Sequence, residues 1–315
     1  MSDRPLPRIG AQVSTAGGLP KAVARARAIG AEVVQIFPSN PRRWQPCPYT
    51  EHDIAAFTAS LRRAALPLFV HTIYLINLAS PDEDQRRRST AALADALVFG
   101  ARSGADGVVT HIGSHRGDGY AAARKRVVRA VTEARAQARE RVEKPLPALL
   151  LETSAGGGDS LGRTPAELGD LVGAFPEGLG ICLDSAHLFA GGYAVDTAEG
   201  LDALLVELER HGLLGALGLV HLNDCKTALG SRSDRHENLW EGRLGRGGLR
   251  LFLGHTAFRR VPFVLEVPGF AGHGPDVRNI RRARLMRREI LRPEILRREI
   301  LSPDTQRHAA PRGAS

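Results

Sequence analysis

The stretch GSRSDRH at 230–236 sets two arginines around an acid, Asp234, and follows the acid at a spacing of two with His236, in a chain that has only eleven histidines. Charged and small residues mixed with Gly and Ser ordinarily mark a solvated loop. A carboxylate and an imidazole two residues apart also offer two ligands to one cation. Seven more residues of the same two types stand at intervals along the chain: His71, His111, Glu152, Asp184, His187, His221 and Glu266. Each alone has a duller explanation, the histidines as hydrogen-bonded rim residues and the acids as helix caps. Gathered in one place, such a set of acids would be strongly disfavoured without compensating positive charge, which divalent cations supply. Imidazole and carboxylate ligation without cysteine favours zinc, manganese or iron over a structural thiolate site. Nine ligands are too many for one tetrahedral ion. Two or three ions fit, and clustered ions suit phosphodiester hydrolysis. On this reading Asp234 and His236 serve one ion from a loop, with His187 as its third ligand.

The elements that must bring these residues together can be read from hydrophobic patterning. Near-continuous apolar or β-branched runs occur at 8–14, 33–37, 68–72, 107–113, 148–153, 179–185, 219–224 and 263–268, as expected for parallel strands covered on both faces. Stretches of helical periodicity separate them, and several end in glycine just before the next strand, a C-cap signal. Eight strand–helix repeats predict an α/β fold, a (β/α)8 TIM barrel. A doubly wound open sheet competes, but no GxGxxG follows the first strand. Chemistry in such barrels sits at the C-terminal strand ends and the loops after them. His71, His111, Glu152, Asp184, His221 and Glu266 fall there, with His187 just beyond strand six and Asp234 and His236 on the long loop after strand seven. The Gly-rich SAGGGDSLG after Glu152 lacks the GK[ST] of a nucleotide-binding P-loop. It suits a backbone passing close to metals or to a bound phosphate.

Composition narrows the classes further. At 315 residues and 43% hydrophobic content the chain can bury a large core, and no run of about 18 apolar residues marks a membrane span. The N-terminus, MSDRPLPRIG, reads as the start of a mature cytosolic protein. Cys47, Cys182 and Cys225 form no CxxC pair, which argues against a disulfide framework and suits a reducing compartment. The net charge is +9, but residues 275–315 hold eleven arginines against five acids, so the preceding body is nearly balanced. Charge alone therefore gives no case for nucleic acid binding by the barrel.

The motifs IGAQVSTAGGL, QIFPSNPRRW, HTIYLINLASP, THIGSH, LLETSAGGG, CLDSAHLFAGGY, HLNDCKTALGSRSDRHENLWEGRLG and LEVPG, between about residues 8 and 285, resemble the endonuclease IV family of apurinic/apyrimidinic (AP) endonucleases. The resemblance implies three zinc ions, with manganese an alternative at some sites. His71, His111 and Glu152 would hold the first. Glu152 would bridge to the second, completed by Asp184, His221 and Glu266, and His187, Asp234 and His236 would hold the third. It implies hydrolysis of the phosphodiester 5′ to an abasic site in base excision repair, leaving a 3′-hydroxyl and a 5′-deoxyribose phosphate, with 3′-end cleaning besides. Glu152 would also orient the attacking hydroxide. Arg42, Tyr74 and Leu75 would enter the duplex at the lesion, and Asn223 and Lys226 are further candidates for DNA contact. The chain departs from the family pattern at Gln12, where histidine is common, and at Gly157, where glutamine is usual.

These readings give one barrel domain at 1–285 and a basic, poorly ordered extension at 286–315, with one short helix expected around 276–292; in the imperfect repeat EILRP, EILRR, EILSP, Pro293 and Pro303 oppose a continuous helix. The expected partner is double-stranded DNA containing abasic sites, met by a monomer in the cytoplasm at the nucleoid, with no membrane. Two rivals stand beside this. A metal-dependent sugar isomerase or epimerase would use the same barrel with about four ligands, and would leave Asp234 and His236 unexplained. A non-catalytic damage-binding protein would have no use for a complete ligand set.

Overall fold

Apolar strands that face helices outside and each other inside close on themselves. The computed structural model describes residues 7–175 and 177–291. Its barrel strands are β1 (Ile9–Gln12), β2 (Val34–Ile36), β3 (Leu68–His71), β4 (Gly107–Thr110), β5 (Ala148–Glu152), β6 (Leu179–Asp184) and β7 (Leu217–His221), closed by β10 (Phe263–Leu265). All pair in parallel, in sequence order, and β10 closes against β1. Seven strands start within a residue of the expected runs and stop sooner, because the chain leaves the sheet where the site loops begin. The seventh is shifted. The stretch 222–224 expected to complete it turns away, and β8 (Asp224–Cys225) pairs antiparallel with β9 (His236–Glu237), making a small hairpin over the barrel mouth.

The helices are α1 (Leu19–Ile29), α2 (Glu51–Arg63), α3 (Glu83–Ser103), α4 (Tyr120–Arg139), α5 (Pro165–Val172), α6 (Ser185–Gly191), α7 (Ala198–Arg210), α8 (Gly245–Gly254) and α9 (Val277–Leu291). Local chemistry sets their ends. Thr50 and Asp53 form a reciprocal capping box at α2, which satisfies two otherwise orphaned donors. Gly30 and Gly104 close α1 and α3 in the left-handed conformation.

The main core lies between strands and helices. A separate apolar layer fills the barrel itself: Val33, Phe69, Val109, Leu150, Cys182, Leu219 and Val264. Gly218 makes room for it, since a Cβ there would come within 2.7 Å of Leu150 Cδ2. A cavity of about 580 Å³ at the foot of the barrel ends on Phe69 and Leu150, so the layer separates it from the mouth.

Helix α9 runs past the expected domain boundary at 285. Ile280, Ala283 and Met286 are buried, and Arg284 and Arg287 bind the Glu32 carboxylate at 3.0 and 2.6 Å. The boundary therefore falls inside a packed helix, and the rest of the expected extension, 292–315, lies outside the described residues. Among the described residues no helix is long and apolar enough to cross a membrane.

Candidate metal centre

The six strand-end ligands arrive by register. His71, Glu152, Asp184 and His221 are the last residues of β3, β5, β6 and β7, while His111 and Glu266 directly follow β4 and β10. His187 comes from the first turn of α6, a helix that Asp184 itself caps. The Asp184 Oδ1 accepts from the N–H groups of Ala186 and His187 at 2.7 and 2.9 Å, leaving Oδ2 for the mouth. One carboxylate thus performs both the dull and the sharp role that its type allowed.

Glu152 is the hub. Its Oε2 lies 3.1 Å from His71 Nε2 and 3.6 Å from His111 Nε2, and its Oε1 lies 3.0 Å from His221 Nδ1. His221 Nδ1 is also 3.2 Å from Glu266 Oε2 and 3.8 Å from Asp184 Oδ2. On the far side, His187 Nε2 meets Asp234 Oδ2 at 3.2 Å, and His236 Nε2 meets Asp234 Oδ1 at 3.3 Å and Asp184 Oδ2 at 3.5 Å. Three groups have ligand atoms within 4.8 Å of one another: His71, His111 and Glu152; Glu152, Asp184, His221 and Glu266; and Asp184, His187 and His236. All nine expected residues come together. Asp184 stands between the second and third groups. Asp234 sits at the edge, its side chain 55% exposed with the carboxylate turned to two histidines.

Neighbours fix which ring nitrogen faces inward. His71 Nδ1 donates to the Thr72 carbonyl and His187 Nδ1 to the Thr153 carbonyl, both at 2.8 Å. A carbonyl can only accept, so in the neutral ring Nδ1 keeps its proton and Nε2 carries the lone pair. Gln35 Nε2 donates to Glu266 Oε1 at 2.7 Å, which makes its Oε1 the acceptor for His221 Nε2 at 3.0 Å and leaves His221 Nδ1 free for the cluster. Such outer partners orient metal ligands and raise their basicity. Gln35 and Thr153 were missed from sequence, although a glutamine inside the apolar run VVQIF was a visible signal.

The electrostatics call for cations. Burial alone would favour neutral imidazoles at His187 and His221. Even so, Asp184 and Asp234 at the first, and Cys182, Glu266 and Glu152 at the second, hold both rings well above the ordinary histidine value. Burial would likewise raise the Glu152 carboxyl, but His111 and His221 hold it well below the usual range. Without ions, protons on the rings must balance the buried carboxylates. His236 Nε2 is in addition buried with no hydrogen-bond partner, an arrangement that costs about 1–3 kcal/mol unless something else satisfies it. The donor set fits divalent metal ions at all three groups.

Around the cluster, Tyr74 stands between two hollows of the mouth. One, of about 910 Å³, includes Gln12, Arg42 and Glu266 in its wall; the other, of about 520 Å³, includes Leu75, His111 and Asp234. Tyr74 is 54% exposed and packs edge-on against Phe37 with ring centroids 5.0 Å apart. Burial first, then the nearby carboxylates, push its hydroxyl up to about 12, so it stays neutral. Arg42 and Lys226 are exposed and Leu75 half-buried. Asn223, the other candidate for DNA contact, faces the ligands instead of the rim. Asn223 is fully buried, donates to Asp184 Oδ2 at 2.7 Å and accepts from the Glu266 N–H at 2.8 Å, so it holds two ligands. Both departures also have a place. The Gln12 amide is buried in the wall with neither end hydrogen-bonded. A Cβ on Gly157 would lie 3.0 Å from the Arg232 carbonyl oxygen, so the glycine lets the SAGGG loop press against the loop that carries Asp234.

Comparison with known proteins agrees with this geometry. The xylose isomerase-like TIM barrel family matches residues 23–290. A probable endonuclease 4 from Methanoculleus marisnigri is 42% identical over 263 residues, covering 82% of this chain and 92% of the relative. The crystal structure of endonuclease IV from Thermus thermophilus superposes with a TM-score of 0.79 at 35% identity, covering 90% of this chain and all of the other. A D-tagatose 3-epimerase-like protein superposes with a TM-score of 0.65 at 16% identity, covering 93% and 99% of the two chains, a likeness of fold alone.

Proposed function

Since the chain belongs to the endonuclease IV family of xylose isomerase-like TIM barrels, and is on that ground a DNA-hydrolysing AP endonuclease, we propose that three zinc ions at the barrel mouth serve its reaction. The bond cut is the phosphodiester 5′ to an abasic site in duplex DNA, leaving a 3′-hydroxyl and a 5′-deoxyribose phosphate. His71, His111 and Glu152 hold the first ion, and Glu152, Asp184, His221 and Glu266 the second. His187, Asp234 and His236 hold the third, with Asp184 in reach. Manganese, which accepts the same ligands, is the alternative occupant. The reading rests on one observation above all: the loop pair Asp234 and His236 closes a third group on the far side of Asp184, which a one- or two-ion sugar isomerase does not need.

When bound, the ions lower the pKa of water to roughly 7 and neutralise charge gathering on the phosphate. The chain does the rest. Glu152, shared by two groups, fixes their spacing and orients the attacking oxygen. Arg42, Tyr74 and Leu75 on the rim fill the space left when the abasic nucleotide leaves the helix, a step made cheaper by the missing base. Lys226, exposed beside the hairpin, meets backbone phosphate. The same site cleans blocked 3′ ends, where the bond broken is again a phosphodiester next to deoxyribose. The enzyme acts in base excision repair as a monomer, in the cytoplasm at the nucleoid.

A duplex carrying one abasic analogue, incubated with and without chelator, tests this. Nicking 5′ to the analogue that stops on chelation and returns with zinc supports it. An intact duplex, or nicking that ignores the chelator, refutes it.

A further inference from the structure

The ligands on the long loop after β7 lack the support of a barrel strand, and yet they reach the same cluster. Their anchorage is polar. The carboxylate of Asp224 is fully buried and accepts five backbone N–H groups, all from the hairpin or the chain beyond it. Oδ1 takes Cys225 at 2.9 Å, Leu244 at 3.0 Å and Gly245 at 3.3 Å. Oδ2 takes Trp240 at 2.9 Å and Gly242 at 3.1 Å. A Cβ on Gly242 would collide with Oδ1 and with the Cys225 carbonyl, so the glycine is what allows the close approach. Trp240 and Gly245 take positive φ, 73° and 61°, to turn their amides inward.

Asp224 also pairs through its backbone with Glu237, and Cys225 with His236 itself. A second buried anchor works from outside. Asn279 of α9, fully buried, accepts from the Leu239 N–H at 3.0 Å and donates to Asn238 Oδ1 at 2.8 Å. At the tip of the loop, Gly230 and Arg232 donate to the Phe189 and Ala190 carbonyls at the end of α6, the helix that carries His187.

We infer that Asp224 is a positioning residue for the third ion: its carboxylate gathers the hairpin and the chain after it so that His236, and Asp234 two residues before it, meet His187 across the mouth. Asn279 serves the same purpose from α9. The inference deepens the three-zinc reading and rests on it. Asp224 touches none of the first or second group, so its effect is confined to one ion. Asparagine in its place keeps the volume but puts an NH2 where an acceptor stood, leaving the Trp240 and Gly242 amides, or the Cys225, Leu244 and Gly245 amides, unpaired.

Zinc-buffered titration followed by native mass spectrometry reads this on wild type, D224N and N279A. D224N should keep two ions at wild-type affinity and hold the third about 10–100-fold more weakly, the usual effect of losing a residue that orients ligands. N279A should show a smaller loss at the same ion. Nicking by D224N, low at limiting zinc, should return in excess zinc with KM for abasic duplex unchanged, whereas a merely loosened fold would not be restored by metal. Should D224N fail to fold, N279A carries the test. Wild type with three ions and both variants matching it overturns the inference alone. Wild type that never loads a third ion overturns the three-zinc reading, and the inference with it.

Discussion

Two halves of one cluster of candidate metal ligands are built by different means. His71, Glu152, Asp184 and His221 are placed by a closed parallel sheet, whose hydrogen-bond ladder fixes each strand end against its neighbours. Asp234 and His236 are placed by a loop in which carboxylate and amide anchors replace the ladder. The sheet is continuous with the apolar core and opens only when the fold does. The loop can release its contents alone, because segments held by few buried apolar contacts open at lower free energy than the core. A cluster assembled in this way has a permanent part and a part that can be lost separately.

Changing a ligand on each side is the strongest challenge to that contrast. Glu152→Gln removes the hub of two groups and should lower nicking on the order of 10³-fold, with loss of bound zinc by elemental analysis. If nicking stays within tenfold of wild type, Glu152 is not the hub. His236→Ala should cost roughly 10²-fold while the chain keeps two ions. Loss of all three together would mean that strand and loop ligands are one unit. A gentler probe acts on the strand side alone. Gln35→Leu keeps the volume but deletes the bonds to His221 and Glu266, and should weaken the second ion about 10–100-fold without moving the third, as read by the same zinc titration.

The smallest effect concerns the helix that presents Asn279. Arg284 and Arg287 of α9 hold Glu32, and although burial opposes it, the bond from Arg287 keeps the Glu32 carboxyl below its usual range. A depressed carboxyl contributes stability above its unfolded pKa and loses it as pH falls through the folded value. The pair is partly exposed, so Glu32→Gln should cost only about 1 kcal/mol at pH 7, and the gap to wild type should close in acid. Urea unfolding at pH 7 and at pH 3 measures both. A gap that widens in acid would reverse the sign and discard the account.

What the sequence disclosed follows from how each feature is built. Buried parallel strands leave continuous apolar runs, and a histidine or acid at the end of such a run, as at LFVH or GICLD, marks where the sheet stops and the site begins. The (β/α)8 plan and the gathering of the six strand-end ligands were legible for that reason. Residue type states that a group must find a partner but not in which direction. Asn223, read as a DNA contact, turns inward to Asp184 and Glu266. The pairing of Asp224–Cys225 with His236–Glu237 has strands of two residues, too short to carry a period, and its anchor lies in a carboxylate that looked like any polar loop residue. The short helix expected around 276–292 is α9; its packing was not legible, since arginines that read as a solvated tail include two that reach back to Glu32.

Among the described residues, the apolar layer across the barrel, from Val33 to Val264, closes the cluster off from the barrel's foot. On the three-zinc reading, water, metal and the scissile phosphate would enter by the hollow whose wall includes Tyr74 and Arg42. A duplex seated there acts as a stopper, so chelators should strip ions far more slowly from the enzyme–DNA complex than from the free enzyme.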